Sequence, residues 1–580
     1  MVAKDVYLQW LQGEFLTEAE KAELKAIAQD SQEIEERFYK GLSFGTAGLR
    51  GILGVGTNRM NTYVVRRATL GLANYIVSLG EEAKAQGVVI AFDNRRFSPE
   101  FAQEAASVLA GQGIKVYLYE KLRPVPQLSF SVRHFKAIAG IMVTASHNPA
   151  QYNGYKVFWQ DGAQIANEQA DAITKAIEAI TAYDLPSYDL AKAKEQGLIV
   201  HPGIHVDQAY YDIIFKQSLY SKEIAEIAAD YPLVYTPLHG TGEIPVSTML
   251  QRLGFNNIHL VKEQAEPDSE FPTVVSPNPE DPRAFDLALD LAKQVKAKLI
   301  LATDPDSDRV GVMIPDRNGE YLLLTGNQTG FLLTYYFLNG LKDLNRLPEN
   351  GLLITTIVTA NLGAEIAASL NVKNIKTLTG FKYMGEKIKE FESTKEYEFL
   401  LGYEESYGYL VGTHARDKDG VVTAMLVAEM AAFYESQGMS LYDLLYKIYE
   451  DYGYYLDETK SLTLEGIEGL AKIKKAMVDL RAELPVEFAG VKVERIEDIL
   501  EGQVYVNVSS LQKTDDKIDL PNENVLKFFL ENEAWIAVRP SGTEPKLKIY
   551  IGVKEKSEEK AELLLKSLMQ DALVKIEASF

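Results

Sequence analysis

The chain has 580 residues, a formal net charge of −22 and no cysteine, and each of these properties excludes a class of protein. A chain of this length divides into several domains with sizeable cores. The acidic balance argues against a nucleic-acid-binding protein, which needs a basic face. The lack of cysteine excludes disulfides and thiolate metal sites.

The sequence contains no apolar run near the roughly 18 residues that a membrane span needs, and its N-terminus has no signal-peptide pattern. Instead, Thr17 and Glu20 have the spacing of a capping box at the start of a helix. We therefore expect a cytoplasmic protein whose partners include neither a membrane nor a nucleic acid.

An approximate strand–helix–strand repeat occurs three times along the chain. In the first copy, Ser98 is the predicted N-cap and Pro99 the first helical residue. The predicted strand pairs are 88–93 with 114–118, 233–236 with 257–260, and 352–356 with 375–378. Because strand, helix and strand at this spacing form a right-handed crossover, each copy predicts a mostly parallel sheet flanked by helices.

The C-terminal part of the chain breaks this pattern. Strands at 535–538 and 546–550 and a helix near Ser557 predict a smaller α+β domain. The predicted fold class is α/β, with three homologous mixed α/β domains, mostly parallel sheets, and a smaller C-terminal α+β domain around a central cleft. The predicted domains are 1–205, 206–322, 323–455 and 456–580.

A polar turn that contains Ser146 follows the apolar strand predicted at 140–143. Serine, histidine, asparagine and proline are all turn formers, so a plain structural turn is one interpretation. A nucleophile is favoured by position, because open α/β sheets bind ligands at the carboxyl ends of their strands. A Ser-His-Asp hydrolase is the competing enzyme class, but its serine normally occupies a Gly-x-Ser-x-Gly elbow, which 144–148 does not match.

Asp304, Asp306 and Asp308 follow another apolar stretch at 297–302. A solvated acidic loop is the ordinary interpretation of such a run. Alternate residues of an extended chain face the same way, however, so these carboxylates would repel each other without a cation. Oxygen ligands favour Mg²⁺ over zinc or copper, and the glycine and terminal glutamate of an EF-hand loop are missing.

Two further loops carry groups that suit a phosphosugar. Glu404 and Ser406 offer hydrogen-bond acceptors for sugar hydroxyls, although an ordinary surface turn has the same composition. The stretch 539–546 combines an arginine, two hydroxyls and a glycine, which together can bind phosphate. A structural turn is the alternative there.

These four loops, in this order and with one in each predicted domain, resemble the motifs of the α-D-phosphohexomutase family. The resemblance covers nearly the whole chain, and 44–51 is also similar to the family's N-terminal signature. It implies a phosphoserine at Ser146 and one Mg²⁺ per active site. The implied metal ligands are a phosphate oxygen on Ser146 and the carboxylates of Asp304, Asp306 and Asp308.

The resemblance also implies roles for the other candidate residues. Those near the transferring phosphoryl group would be His147, Lys156, Arg50, Arg309 and Lys418, and the two lysines would take part in proton transfer. Those that bind the sugar or its non-reacting phosphate would be Thr379, Gly380, Lys382, Glu404, Ser406, Arg539, Ser541, Gly542 and Thr543.

The implied reaction interconverts α-D-glucose 1-phosphate and glucose 6-phosphate through a phosphoserine enzyme and glucose 1,6-bisphosphate. The sequence Glu-Glu-Ser at 404–406 favours glucose or mannose over an amino sugar. Because 45–51 and 153–165 are also similar to a branch that contains phosphopentomutases, phosphomannomutase or phosphopentomutase activity is the alternative. A metal-dependent phosphatase and a non-catalytic phosphosugar sensor are the other classes considered. Small phosphosugars are the expected partners, and a monomer is the favoured state.

Overall fold

The computed structural model describes residues 3–45, 48–464, 466–506, 512–541 and 546–578. The chain divides into two compact units. Unit 1 comprises Met1–Gly326 and Met384–Gly438, and unit 2 comprises Asn327–Tyr383 and Met439–Phe580. Among the described residues, no helix combines the length and the hydrophobicity that crossing a bilayer requires.

Three short helices begin unit 1: α1 (Ala3–Gln12), α2 (Glu18–Ala26) and α3 (Ser31–Phe38). The predicted capping box at the start of α2 is confirmed, since the Thr17 hydroxyl accepts from the Glu20 backbone N–H and the Glu20 carboxylate accepts from the Thr17 backbone N–H. Tyr7, Trp10 and Phe38 are buried and pack edge to face. This aromatic cluster holds the helices α1 and α3 together.

The first sheet of unit 1 has six strands in the order β1-β5-β4-β2-β3-β6. The strands are β1 (Leu49–Ile52), β2 (Val88–Phe92), β3 (Val116–Leu118), β4 (Ala139–Val143), β5 (Tyr152–Trp159) and β6 (Ile199–Val200). The helices are α4 (Thr62–Ser78), α5 (Glu81–Gln86), α6 (Ser98–Gly111), α7 (Val125–Phe135), α8 (Asn167–Glu178) and α9 (Leu190–Glu195). Strands β2, β3, β4 and β6 run parallel, and β5 pairs antiparallel with both β1 and β4.

The predicted start of α6 is wrong by one residue. Phe97 occupies the N-cap position in the left-handed region, with φ of 64°, so Ser98 and Pro99 are the first and second helical residues. The Ser98 hydroxyl donates to Asp93 Oδ1 at 2.8 Å. The same hydroxyl oxygen accepts from Asn153 Nδ2 at 3.0 Å, so tertiary partners, and not the first backbone N–H groups of α6, take the hydroxyl that the sequence assigned to the cap.

The second sheet of unit 1 has five strands in the order β11-β10-β9-β7-β8. The strands are β7 (Leu233–Thr236), β8 (Ile258–Leu260), β9 (Leu299–Thr303), β10 (Val310–Pro315) and β11 (Tyr321–Leu323). The helices are α10 (Ile204–Phe215), α11 (Ala225–Asp230), α12 (Glu243–Arg252), α13 (Lys262–Ala265) and α14 (Asp286–Val295), with a 3₁₀ turn at Pro282–Phe285. Strand β7 is parallel to both β8 and β9, and β9, β10 and β11 are antiparallel.

The third repeat follows with α15 (Gly326–Asp343), β12 (Gly351–Thr356), α16 (Leu362–Ser369), β13 (Lys373–Thr377), α17 (Phe381–Thr394), β14 (Glu398–Glu404), β15 (Gly408–Val411), α18 (Gly420–Ser436) and α19 (Leu441–Tyr452). Within unit 2, β12 and β13 pair in parallel as predicted. Within unit 1, β14 and β15 form an antiparallel hairpin. Asp419 caps α18 by accepting from the N–H groups of its first residues.

The C-terminal part of unit 2 is an antiparallel sheet covered by helices α20 (Gly466–Ala482) and α21 (Glu558–Glu577). Its strands are β16 (Tyr454–Thr463), β17 (Glu487–Phe488), β18 (Val491–Asp498), β19 (Gln503–Val506), β20 (Gln512–Lys513), β21 (Leu526–Leu530), β22 (Trp535–Pro540) and β23 (Lys546–Glu555). The order is β16-β23-β22-β21-β18-β19-β20, and β17 pairs with β18. Alternation along β22 points Ile536 and Val538 into the core beneath the helices and Trp535 and Ala537 into a second cluster.

The predicted α/β class with a distinct C-terminal α+β domain is therefore confirmed. The repeat positions Ser146 and Asp304 just after the parallel strands β4 and β9, at the carboxyl ends where α/β sheets bind ligands.

Candidate active site

Ser146 lies in the loop after β4 and is almost fully buried, with 4% of its surface exposed. Its Oγ donates to Asp304 Oδ2 at 2.8 Å and lies 3.2 Å from His147 Nδ1. Its backbone N–H donates to Thr144 Oγ1 at 2.8 Å, and its φ is 52°. A serine in this left-handed region costs energy, so the surrounding contacts must hold it there. The serine is therefore directed at the acidic loop and is not part of a solvated turn.

The three aspartates converge as predicted, although the loop that carries them is a turn, with Ser307 at φ of 53°, and not an extended segment. One oxygen from each of Asp304, Asp306 and Asp308 lies within 4.8 Å of the others, and all three residues are buried. Asp304 Oδ1 accepts from the backbone N–H groups of Asp308 and Arg309 at 3.0 Å each, so the loop wraps around this carboxylate. Within the described part of the chain, Asp306 Oδ1 and Asp308 Oδ1 have no hydrogen-bond partner. Buried, unsatisfied carboxylate oxygens fit a hard divalent cation such as Mg²⁺.

The carboxylates differ in their electrostatic environment. Burial, reinforced by the charges of Asp306 and Asp308, raises the pKa of Asp304 well above its usual value. Burial also tends to raise the pKa of Asp306, but the nearby Lys156 ammonium outweighs it and lowers that pKa. Two neighbouring carboxylates of one loop thus have opposite preferences for a proton because only one contacts the lysine.

Two largely buried lysines contact this acidic loop, Lys156 from β5 and Lys418 from the loop before α18. Lys156 on β5 donates to Asp306 Oδ2 at 2.8 Å and lies 3.6 Å from Asp308 Oδ2. Lys418 lies 3.2 Å from Asp308 Oδ2 and 3.1 Å from Asp417 Oδ1. Burial lowers the pKa of each lysine, but the adjacent carboxylates more than offset it, so both pKa values are raised. Both side chains are therefore ammonium ions at neutral pH.

Two arginines and a histidine complete the charged surroundings of Ser146. Arg309 forms an ion pair with Glu280, and Arg50 on β1 donates to Asn148 Oδ1 at 2.9 Å. Burial, with the positive charges of Arg309 and Arg50, lowers the pKa of His147 well below its usual value. The imidazole is therefore neutral at neutral pH.

The structure also brings the predicted sugar-binding hairpin to the acidic loop. Glu404 is the last residue of β14 and is 6% exposed, and Ser406 lies in the turn before β15. The backbone of Arg309 pairs with that of Gly408 at the start of β15. Glu404 lies close enough to raise the pKa values of Arg309 and Lys418 through its charge. Glu404 thus belongs to the same cluster as the aspartates.

The remaining candidate residues lie in unit 2. Thr379, Gly380 and Lys382 occupy the end of the segment between β13 and α17 and the first turn of α17, and Gly380 has φ of 114°, a backbone conformation that favours glycine. The Lys382 Nζ lies 4.6 Å from the centre of the Tyr383 ring.

Arg539 lies on β22, where its Nε donates to Glu523 Oε1 at 3.0 Å. The backbone N–H of Ser541 donates to the carbonyl of Lys546 at 2.7 Å. Leu378 and Tyr383, which flank Thr379–Lys382, belong to the same hydrophobic cluster as Trp535 and Tyr550 of the C-terminal sheet. Gly542 and Thr543 lie outside the described residues.

Sequence reasoning missed residues that hold the Ser146 loop and the acidic loop in place. Asp93, at the end of β2, accepts from Thr144 Oγ1 at 2.6 Å, and the same hydroxyl lies 3.2 Å from Asp306 Oδ2. The sequence did contain a signal, because Asp93 ends a predicted strand and Arg95 follows it, at the same edge of the sheet as Ser146.

A glycine-containing loop from the second sheet supports the acidic loop from beneath. A Cβ on Gly240 would lie 2.4 Å from Pro305 Cα, so only glycine permits this approach. Thr241 donates its backbone N–H to the Pro305 carbonyl at 2.8 Å. His239, beside them, packs against the Phe271 ring, and its Nε2 lies 2.9 Å from Thr273 Oγ1.

The fold and the site together define a class, namely multidomain α/β enzymes with a buried serine beside a carboxylate cluster and several cations. Four models of the phosphoglucomutase/phosphomannomutase family match the chain in order. They are α/β/α domain I at residues 41–184, domain II at 209–319, domain III at 325–452, and the C-terminal domain at 477–566. The chain belongs to the phosphoglucomutase/phosphomannomutase family.

Curated relatives share much of the sequence. A phosphoglucomutase from Staphylococcus epidermidis is 39% identical over 534 residues, covering 90% of this chain and 93% of that protein. A phosphoglucomutase from Staphylococcus aureus is 38% identical over 542 residues, covering 92% and 93%.

Solved structures share the fold. A phosphomannomutase from Thermus thermophilus, described as putative, has a TM-score of 0.66 at 23% identity, covering 92% of this chain and 99% of that one. The open form of parafusin, a phosphoglucomutase from Paramecium, has a TM-score of 0.67 at 18% identity, covering 93% and 95%.

Proposed function

We propose that the chain is a phosphoglucomutase that interconverts α-D-glucose 1-phosphate and glucose 6-phosphate. The observation that carries this proposal is the Ser146 hydroxyl, which donates to Asp304 at 2.8 Å inside a cluster of three buried aspartates. The 39% identity with the S. epidermidis phosphoglucomutase supports glucose as the sugar.

Magnesium is the proposed cofactor. Asp304, Asp306, Asp308 and an oxygen of the phosphate on Ser146 would hold it. Buried carboxylate oxygens without hydrogen-bond partners fit this ion, as described above. When bound, Mg²⁺ supplies positive charge to the oxygens of the transferring phosphoryl group.

In the proposed reaction, the bond between phosphorus and Ser146 Oγ breaks, and phosphorus bonds to O6 of glucose 1-phosphate, which loses its proton. The resulting glucose 1,6-bisphosphate turns over within the site. Its 1-phosphoryl group then returns to Ser146 Oγ, O1 gains a proton, and glucose 6-phosphate leaves. The net change moves one phosphoryl group from O1 to O6 and one proton from O6 to O1.

The cations around Ser146 have an electrostatic role in this scheme. Lys156, Lys418, Arg309 and Arg50 offset the negative charge of two phosphates and the aspartates, and such preorganised charge supplies much of the rate enhancement in phosphoryl transfer. The raised pKa of Lys418 favours its ammonium form, which has no lone pair to accept a proton. The role of Lys418 as proton acceptor stays a prediction. The neutral His147 imidazole, 3.2 Å from Ser146 Oγ, can exchange a proton with that oxygen.

We assign substrate binding to the remaining candidates. Glu404 and Ser406 would contact sugar hydroxyls, together with Thr379, Gly380 and Lys382. The non-reacting phosphate would be bound by the C-terminal domain through Arg539, Ser541, Gly542 and Thr543. This assignment gives the four predicted domains the roles of phosphoserine, metal, sugar and phosphate binding.

The test combines mass spectrometry with a substrate panel. Peptide mass spectrometry of the active protein should find a phosphate on Ser146, and glucose 1-phosphate should be converted faster than mannose, glucosamine or ribose 1-phosphates. Ser146→Ala should lose nearly all activity. Ser107→Ala is the matched control, because Ser107 is a buried serine of the same domain that donates to the Tyr188 carbonyl. Release of inorganic phosphate would instead identify a phosphatase, and full activity without phosphate on Ser146 would remove the mechanism.

A further inference from the structure

We propose that Arg95 is a positioning residue for Ser146. Together with Asp93 and Phe271 it forms a clamp, the Arg95 clamp, that fixes the Ser146 loop (146–152) relative to the acidic loop. This inference rests on the proposed function, in which Ser146 carries the phosphoryl group.

The Arg95 guanidinium binds the Ser146 loop through four backbone carbonyls. Its Nη2 donates to the carbonyl oxygens of Ser146 and Asn148. Its Nη1 donates to those of Pro149 at 3.0 Å and Tyr152 at 3.1 Å. A single planar side chain thus contacts the loop along its whole length, from Ser146 to Tyr152.

Two of these contacts are made at or near a residue of the loop with a strained backbone. Ser146 has φ of 52°, which a residue other than glycine adopts at an energetic cost. The Arg95 hydrogen bonds to the carbonyls of Ser146 and Asn148 oppose relaxation of this conformation. Loss of those bonds would let the Ser146 hydroxyl turn away from Asp304.

The clamp also contacts the domain that carries the aspartates. The guanidinium carbon of Arg95 lies 5.0 Å from the centre of the Phe271 ring, and Phe271 is buried in the segment between β8 and β9. Asp93 accepts from the Arg95 backbone N–H at 3.0 Å and from Thr144 Oγ1 at 2.6 Å. Arg95 therefore contacts both sides of the 2.8 Å contact between Ser146 and Asp304.

The chemistry of this position requires arginine. Arg95 is 1% exposed, and Asp93, with Oδ2 at 3.4 Å from Nε, offsets its buried charge. A guanidinium offers five donors in a fixed plane, whereas a lysine ammonium is a point charge with three rotatable donors. A lysine at this position could keep the ion pair with Asp93 but could not reach all four carbonyls.

A matched arginine in the same domain provides the control. Arg66 on α4 forms a bidentate ion pair with Glu104 and donates to the Leu185 carbonyl at 3.1 Å. It lies in a different part of the domain and contacts none of the residues of the Ser146 loop among its described hydrogen bonds. Arg66→Lys therefore reports the cost of replacing a partly buried arginine without touching the reacting groups.

The first experiment separates kcat from KM. Arg95→Lys should lower kcat for glucose 1-phosphate by about 100-fold, because a displacement near 1 Å at reacting atoms has an effect of that order. KM should stay within about threefold, since no proposed sugar or phosphate ligand is changed. Arg66→Lys should leave both constants near the wild-type values. If Arg95→Lys keeps the wild-type kcat, a positive charge at this position is enough for activity, and the proposed positioning role of the Arg95 clamp is wrong.

A second variant tests the proposal even if Arg95→Lys does not fold. Phe271→Leu leaves the hydrogen-bond partners of Arg95 in place and removes the ring beneath its guanidinium, together with the contact between that ring and His239. We expect a smaller fall in kcat, about tenfold, with a circular dichroism spectrum like that of the wild type. Unchanged kcat in this variant would overturn the part of the proposal that assigns Phe271 to the clamp.

Hydrogen exchange tests the clamp without any substrate. Backbone amides in a peptide covering 144–152 should exchange at least about tenfold faster in Arg95→Lys, whereas Arg66→Lys should match the wild type there. Unchanged exchange in this peptide, or equal acceleration throughout the domain, would overturn the positioning role. A wild-type protein without mutase activity would refute the proposed function, and the exchange result would still decide whether the Arg95 clamp exists.

Discussion

Buried charge dominates the residues around Ser146. Asp304, Asp306 and Asp308 lie in one loop with almost no solvent contact, and Lys156 and Lys418 compensate for only part of their charge. Two carboxylate oxygens have no hydrogen bond within the described residues. The arrangement fits a further cation, and this fit leads to the first prediction.

Removal of divalent cations with a chelator should abolish mutase activity and lower Tm, and Mg²⁺ should restore both. A ligand that binds only the folded state stabilises it in proportion to RT ln(1 + [L]/Kd). Asp306→Asn should lose activity and the Mg²⁺-dependent rise in Tm, whereas Asp290→Asn, a change of an exposed aspartate on α14, should retain both. Full activity of the chelated wild type would show that the metal assignment is wrong.

Glu404→Gln should lower kcat/KM for glucose 1-phosphate by at least about tenfold, because a hydrogen bond to a charged acceptor contributes about 1.5–3 kcal/mol. The phosphate content of Ser146 should stay the same. Glu398→Gln, at the exposed start of the same strand, is the control. An unchanged rate in Glu404→Gln would mean that the sugar is bound elsewhere, and the ribose 1-phosphate rate would then be the next measurement.

Asp457 on β16 should give unit 2 a measurable pH dependence. Burial raises the pKa of Asp457 to about 6, and the Asn327 amide opposes this only in part. The unfolded value is about 3.9, so the folded state holds more protons between these two values. The free energy of unfolding therefore falls as pH rises from about 4 to about 6, and the stabilisation from the protonated form is absent above that window.

Asp457→Asn mimics the protonated side chain and removes this dependence. At pH 7 the variant should be more stable than the wild type by up to about 2 kcal/mol, since one pKa unit corresponds to about 1.4 kcal/mol. Below pH 4 the two should coincide. Urea unfolding at both pH values measures the difference, and a variant that is less stable at pH 7 would contradict the prediction.

At the scale of single elements, local sequence signals predicted whether a segment is a helix or a strand more accurately than they predicted its first and last residues. The capping box of Thr17 and Glu20 was predicted and found, because its three-residue spacing is a property of the chain alone. The start of α6 was misplaced because the Ser98 hydroxyl accepts from the Asn153 amide, 55 residues away, and donates to Asp93. A cap residue whose hydroxyl is used by distant partners cannot be assigned from spacing only.

Thr17→Ala should lower the free energy of unfolding by about 0.5–2 kcal/mol, the usual cost of losing a hydroxyl N-cap. Thr17→Ser keeps the hydroxyl and should lose much less. Neither change should alter kcat, because α2 contributes no group to the Ser146 loop. Denaturant unfolding of the three proteins checks the order, and equal losses in both variants would show that the hydroxyl is not what stabilises α2.

At the scale of the whole molecule, the net charge of −22 opposes the compact state through self-repulsion. Raising the KCl concentration from about 0.01 M to 0.15 M shortens the screening length from about 30 Å to 8 Å. We therefore expect Tm of the Mg²⁺-loaded protein to rise over this range, as measured by calorimetry at fixed pH. A fall in Tm would mean that attractive surface ion pairs outweigh the repulsion.

The sequence by itself determined the three α/β repeats, the smaller C-terminal α+β domain and the convergence of Asp304, Asp306 and Asp308. The repeats and the C-terminal domain depend on hydrophobic periodicity, which is a local property of a chain. The aspartates were expected to converge by alternation along an extended backbone, whereas in the structure they meet in a turn in which Ser307 has φ of 53°. Only the tertiary structure decided which distant groups meet. Lys156 contacts Asp306 across 150 positions, and Arg95 reaches the Ser146 loop from the loop that follows the neighbouring strand β2. Strand order and loop geometry, not spacing along the chain, set those distances.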